Sequence, residues 1–152
     1  MQKLKHFTIP KDKTPCIYGI INPIDLKIYI GATKNPNKRA TMHKSQLLNG
    51  KHPNKELQKD IEKGLRFFII YKIPPNKTDN ILIYEKIFML KVLETGYKLY
   101  NIANAENQEK IIRKIIFDLL YKVDDNYKIS FKNALKMDYW NLRILKDKSR
   151  YL

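Results

Sequence analysis

Residues 16–31 read CIYGIINPIDLKIYIG, which contains two strand-like segments on either side of a turn. β-Branched and aromatic residues dominate both segments, and the NPID sequence between them is typical of a turn. The stretch therefore predicts an antiparallel hairpin. Because side chains alternate along a strand, Tyr18 is expected on the same face as Cys16. By the same rule, Tyr29 shares a face with Gly31.

Helix and strand signals continue outward from the hairpin. Asn35-Pro36 has the sequence of an N-cap followed by a first-turn proline, which predicts a helix to about Leu48. The further predicted elements are a short helix after Pro53-Asn54, a strand at residues 67–73, and a helix capped by Thr78 or Asp79 that ends near Leu93. The order β-β-α-α-β-α predicts a small α+β domain over residues 1–105, with an antiparallel sheet flanked by helices.

Residues 106–152 differ in character and are predicted to form a helical C-terminal extension. An apolar stripe indicates a helix from about Glu106 to Lys122. Two short helices, one after Ser130 and one from Tyr139, fit a helix-turn-helix plan for DNA binding. A helical appendage that only packs against the domain is the alternative.

Charge is the strongest signal in the composition. The net charge is +15 and the isoelectric point about 9.8, which favours a polyanionic partner such as nucleic acid. A lysine-rich composition inherited from an AT-rich genome is the alternative explanation. Seven cations lie between Lys34 and Lys59, against Glu56 alone. The chain has a single cysteine, which excludes an internal disulfide, and no apolar run long enough to span a membrane. The N-terminus lacks the apolar core of a secretory signal, so a cytoplasmic location is expected.

Three polar residues on predicted helices stand out. Arg39 and His43 are four residues apart and therefore share one face of their helix. Glu85 lies between Ile81 and Phe88 at helical spacing, which places its carboxylate against an apolar stripe. An unpaired charge is costly there, so Glu85 needs a cation or a metal ion as its partner.

These residues together carry a family resemblance. Tyr18 and Tyr29, with the Tyr-Ile-Gly of residues 29–31, are similar to the paired motifs of the GIY-YIG nuclease superfamily, although Cys16 stands where the first motif has glycine. The resemblance extends over about residues 15–105 and is closest to the homing endonucleases of phages and viruses. The matching positions are Ala32-Thr33-Lys34-Asn35, Arg39, His43, Gly50-Lys51-His52-Pro53-Asn54, Leu57-Gln58, Glu85 and Tyr100-Asn101-Ile102-Ala103.

The resemblance implies hydrolysis of a DNA phosphodiester bond with one divalent metal ion, Mg²⁺ or Mn²⁺. Glu85 would be the only protein ligand of the metal, and Arg39 would hold the scissile phosphate. Tyr18 is expected to be the base for the attacking water, with its phenolate favoured by Arg39 and the metal. His43, which titrates closer to neutrality, would relay that proton or contact phosphate. Tyr29 is expected to position water or phosphate.

Other positions are expected to bind DNA or to support the fold. The expected DNA contacts are Lys34, Lys38, His52 and Asn54, and Asn101 is expected to tie the last loop to the sheet. Double-stranded DNA is the expected substrate of a monomer or a transient dimer, in the host cytosol if the protein is from a phage or virus. The alternatives are a structure-specific or restriction-type nuclease of the same superfamily, or a DNA-binding module that does not cut.

Overall fold

A computed structural model describes residues 3–103 and 106–120, apart from the side chains of residues 77, 79 and 80. This part of the chain is an α+β domain, as predicted. Its elements are β1 (Cys16–Asn22), β2 (Lys27–Thr33), α1 (Pro36–Leu48), α2 (Lys55–Lys59), β3 (Arg66–Lys72), a 3₁₀ helix (Pro75–Asn80), α3 (Ile81–Glu94), β4 (Lys98–Leu99) and α4 (Gln108–Leu120). No helix in these ranges is both long and apolar enough to cross a bilayer.

The four strands form one sheet in the order β3-β1-β2-β4. The central strand β1 runs antiparallel to β2 and to β3, and the predicted hairpin is present with Tyr18 opposite Gly31. The prediction of an antiparallel sheet is incomplete, because β4 pairs with β2 in the parallel direction. Strand β4 has only two residues, Lys98 and Leu99, which is too short for a periodic signal in the sequence.

Apolar residues pack on both faces of the sheet, which explains why every residue of β1 is buried. One face carries alternate residues such as Ile17 and Ile30 and is covered by α3 and α4. The other face carries Cys16 and Tyr18 and packs against α1 and α2, with Tyr29 partly buried beside them. The alternation predicted from residues 16–31 is thus the division between the two cores.

Helix α1 begins as its sequence predicts, and α3 does not. The Asn35 side chain accepts a hydrogen bond from the Lys38 N–H at 3.0 Å, and Pro36 occupies the first helical position. The predicted start of α3 at Thr78 or Asp79 is wrong, since a 3₁₀ helix over these positions leads directly into α3 at Ile81. A 3₁₀ turn at a helix N-terminus is common because it tightens the first turn.

Helix α4 continues the core beyond residue 105. Ile112 and Ile116 are buried in the same cluster as the apolar face of α3. Gln108 is buried at the start of α4 and anchors it, since its side chain exchanges two hydrogen bonds with the Leu99 backbone, at 2.9 and 3.1 Å. The helix-turn-helix predicted after Ser130 lies outside the described residues, and the predicted domain boundary at 105 stays a prediction.

Candidate active site

Two tyrosines on adjacent strands form one wall of the site. Tyr18 on β1 and Tyr29 on β2 lie on the same face of the sheet, with their ring centroids 6.5 Å apart. Gly31 lies opposite Tyr18 in the strand pair. A Cβ atom at Gly31 would lie 2.3 Å from both Cζ and Oη of Tyr18, so the phenol rests against the glycine backbone. The glycine thus makes room for the Tyr18 hydroxyl.

Helix α1 supplies the opposite wall. Arg39 and His43 lie one turn apart, and His43 Nε2 is 2.7 Å from the Tyr18 hydroxyl. The positive charge of the nearby Arg39 acts to lower the pKa of Tyr18. The helix therefore places a cation and an imidazole against the same phenol.

Burial keeps the hydroxyl of Tyr18 protonated. Desolvation raises the pKa of Tyr18 and outweighs the lowering effect of Arg39, and the neighbouring Tyr29 and Glu85 raise it further. The pKa of Tyr29 is also raised by burial and then by the charge of Glu85. Both side chains are therefore neutral phenols at neutral pH in the protein alone.

His43 does not titrate near neutrality, contrary to the expectation from its reference value. Burial lowers the pKa of His43 to about 3, with smaller contributions from His52 and Arg39. The ring is 3% exposed and lies between Tyr18 and His52. Desolvation disfavours the charged imidazolium, so His43 is neutral at physiological pH.

His52 is buried behind His43 instead of facing solvent. Its Nε2 lies 2.8 Å from His43 Nδ1, and its Nδ1 accepts a hydrogen bond from the Asn54 N–H at 3.0 Å. Both ring nitrogens are engaged, which leaves none for the phosphate contact expected from the sequence. The Asn54 side chain is also engaged, because its Oδ1 caps α2 at the Leu57 N–H and its Nδ2 donates to the Tyr100 carbonyl.

Glu85 on α3 is partly buried, with a side chain that is 16% exposed. Its carboxylate has the cation partner that its position demands, since Lys86 Nζ lies 3.1 Å from Oε1. It is also close enough to raise the pKa of Tyr18 and Tyr29. No group of three or more His, Cys, Asp or Glu side chains that could hold a metal occurs among residues 3–103 and 106–120. A metal at Glu85 would therefore have at most two ligands of these types among the described residues.

A cleft of about 450 Å³ opens beside these groups, lined by Tyr29, Arg39, Met42, His43, Gln46, His52, Pro53, Asn54 and Asn101. Asn101 forms its edge, donating from Nδ2 to the Ile30 carbonyl at 2.7 Å and accepting from the Ile30 N–H at 2.9 Å. Met42 and Gln46 were not predicted from the sequence, although their helical spacing from Arg39 places them on the same face of α1. The other two expected DNA contacts, Lys34 and Lys38, are exposed.

The family model of the GIY-YIG catalytic domain matches residues 14–101, and the chain belongs to this family. The two strand tyrosines, the arginine and histidine of α1 and the glutamate of α3 all lie within the matched range. The resemblance stated from the sequence is confirmed.

The chain is similar to a named phage protein. It is 34% identical over 92 residues to Intron-associated endonuclease 1 of Enterobacteria phage T4. The match covers 59% of this chain but only 37% of the phage protein. Among solved structures, the catalytic domain of homing endonuclease I-TevI matches with a TM-score of 0.47 and 27% identity, over 52% of this chain and 88% of that one.

Proposed function

We propose that this protein is a DNA endonuclease that hydrolyses a phosphodiester bond with one divalent metal ion, Mg²⁺ or Mn²⁺. One observation carries the proposal: a single hydroxyl, that of Tyr18, is within the influence of every proposed catalytic group. It lies 2.7 Å from His43 Nε2, and Arg39, Tyr29 and Glu85 each shift its pKa. The membership of residues 14–101 in the GIY-YIG family supports the same conclusion.

The proposed catalytic side chains have different roles, in proton transfer, in stabilising negative charge and in positioning. Tyr18 is the proposed base for the attacking water, and its elevated pKa means that it needs added positive charge to lose its proton. Arg39 supplies part of that charge. Its planar guanidinium also suits two hydrogen bonds to the oxygens of the scissile phosphate, whose charge grows in the transition state. Tyr29 lines the cleft and would hold water or phosphate by hydrogen bonding.

Glu85 is the proposed metal ligand. A carboxylate oxygen is the donor that Mg²⁺ prefers, and the partial burial of Glu85 favours pairing it with a cation. A bound ion supplies positive charge that neutralises the phosphate and the leaving oxygen. Glu85 is proposed as the only protein ligand, so water and phosphate oxygens would fill the other ligand positions. Metal affinity is therefore expected to depend on bound DNA.

Double-stranded DNA is the proposed substrate. The net charge of +15 provides the general attraction. Lys34 and Lys38, both exposed and close in sequence to the start of α1, are the proposed phosphate contacts. The likeness to an intron-associated endonuclease of a phage favours a homing-type enzyme that acts in the host cytosol. One active site cuts one strand at a time, so we propose a monomer or a transient dimer on DNA.

Plasmid cleavage tests the proposal. Conversion of supercoiled plasmid to nicked and linear forms is measured with Mg²⁺, with Mn²⁺ and with a chelator. We expect Glu85→Ala to lower the cleavage rate by at least about a hundredfold while DNA affinity stays within a few-fold, because the carboxylate serves the metal and not the duplex. The matched control is Glu94→Ala on the same helix, whose exposed carboxylate contacts Arg113 at 3.6 Å and should be dispensable.

Two results would contradict the proposal. Cleavage by Glu85→Ala at the wild-type rate would show that the metal assignment is wrong. Salt-sensitive DNA binding without cleavage, on duplex, palindromic and branched substrates alike, would identify a DNA-binding module instead.

A further inference from the structure

A line of hydrogen bonds runs from the backbone of Asn54, at the start of α2, to Tyr18. The Asn54 N–H donates to His52 Nδ1 at 3.0 Å. His52 Nε2 and His43 Nδ1 are 2.8 Å apart, and His43 Nε2 and the Tyr18 hydroxyl are 2.7 Å apart. Both histidines and Tyr18 are buried, so water does not substitute for these partners.

The direction of every bond in this line follows from its first member. A backbone N–H is only a donor, so His52 Nδ1 carries no proton. An imidazole keeps at least one proton, which His52 must therefore carry on Nε2 and donate to His43 Nδ1. His43 Nδ1 is thus an acceptor, and its proton lies on Nε2. His43 consequently donates to the oxygen of Tyr18.

The first donor is held in place from both sides. The Asn54 side chain accepts from the Leu57 N–H at 3.0 Å and donates to the Tyr100 carbonyl at 2.9 Å. The His52 N–H donates to Gln58 Oε1 at 3.0 Å. The short segment from residue 52 to residue 54 is therefore fixed, and so is the direction in which the Asn54 N–H points.

We propose that His52 is a positioning residue that imposes the Nε2–H tautomer on His43, so that His43 donates its hydrogen bond to the Tyr18 oxygen. Because His43 Nε2 already carries a proton, Tyr18 cannot donate its own proton to that nitrogen. When Tyr18 is a phenolate, the same N–H stabilises the negative oxygen. His43 therefore supports the base without taking its proton, which replaces the relay role expected from the sequence. The catalytic consequence rests on the proposed function, but the tautomer does not.

Nitrogen-15 NMR of the full-length chain tests the tautomer directly. Protonated and unprotonated nitrogens of a neutral imidazole resonate in separate regions, and long-range correlations to the ring protons identify each one. The chain has three histidines, so His6→Gln is enough to separate the exposed ring from the two buried ones. We expect the proton on Nε2 in both His43 and His52 at pH 7. A proton on His43 Nδ1 would overturn the proposal.

Two substitutions of His52 test its effect on Tyr18. His52→Gln places an amide N–H near the position of Nε2 and keeps a donor for His43. We expect it to preserve the His43 tautomer and to cleave within a few-fold of wild type. His52→Leu has no donor, so His43 should populate both tautomers. For this variant we expect kcat to fall about 10–100-fold with little change in KM.

The outcomes separate this proposal from the proposed function. If the Gln and Leu variants cleave equally well, His52 does not act through hydrogen bonding and the proposal is overturned. If His52→Leu does not fold, the tautomers of the wild-type protein and the cleavage rate of His52→Gln still decide whether His52 acts by hydrogen bonding to His43. If the protein cuts no DNA but shows the expected tautomers, the proposed function fails and the assignment of the hydrogen bonds stands.

Discussion

Substitution of Gly31 by alanine should damage catalysis more than stability. The new Cβ atom would lie 2.3 Å from Tyr18 Cζ and Oη, whereas ordinary contact begins at 3.4 Å. The phenol must therefore retreat by about 1 Å, a shift large enough to break its 2.7 Å contact with His43. Overpacking of this kind costs about 1–3 kcal/mol of unfolding free energy. Displacing a proposed base by about 1 Å lowers the rate about a hundredfold.

Gly19→Ala is the matched control on the same strand pair. Its Cβ would lie 2.9 Å from Ile28 Cδ1 and from Phe68 Cε1, on the opposite face of the sheet from Tyr18. Both variants are compared with wild type by urea unfolding and by plasmid cleavage at equal folded concentration. We expect Gly19→Ala to lose stability but to cleave within a few-fold of wild type. Equal cleavage rates for the two variants would refute the argument that Gly31 positions the Tyr18 hydroxyl.

Three further predictions follow from burial and charge. Burial lowers the pKa of His43 to about 3, so between about pH 6.5 and 3 the unfolded chain binds a proton at this residue and the native state does not. The free energy of unfolding should therefore fall as the pH drops through this range. Measured by urea unfolding between pH 7 and 4.5, the free energy of unfolding should depend less on pH in His43→Gln than in the wild type. Ile112→Ala should cost about 2–5 kcal/mol of unfolding free energy. The control, Ile111→Ala, is at a position that is 40% exposed and should cost far less. Equal losses of unfolding free energy in the two variants would show that α4 does not belong to the core. Replacing Lys34 and Lys38 by glutamine should weaken DNA binding. It should also reduce the slope of log affinity against log salt by about 1 for each phosphate that the protein no longer neutralises. If DNA affinities measured by fluorescence anisotropy show an unchanged slope, neither lysine contacts phosphate.

Local signals in the sequence accounted for most of the elements. The hairpin, the start of α1 at Asn35-Pro36 and the strand β3 all depend on neighbours within a few residues, so their sequences predict them directly. Strand β4 could not be predicted, because two residues gain strand geometry only by pairing with β2, about 70 residues earlier in the chain. The 3₁₀ helix before α3 was also not predicted, and it occupies the positions where Thr78 or Asp79 was expected to cap α3.

The residues of the candidate site were likewise predicted from the sequence only in part. The ordered set of Tyr18, Tyr29, Arg39, His43 and Glu85 pointed to the family from the sequence alone. His52 looked like one more basic residue in a cationic stretch, since nothing local indicates that its ring is buried beside His43. The bond from the Asn54 N–H is local, but those that join His52 to His43 and His43 to Tyr18 cross from one element to another. The periodicity of the sequence does not predict contacts of that kind.

The sequence by itself therefore determined the class of fold, the order of the main helices and strands other than β4, and the identity of the chemical groups, because these follow from local propensity and side-chain chemistry. Only the tertiary structure decided the protonation of those groups. Desolvation, which keeps Tyr18 a phenol and His43 neutral, depends on every atom packed around them. The direction of the hydrogen bond between these two rings likewise follows from the backbone N–H of Asn54, but only because folding brings His52 against His43 and His43 against Tyr18.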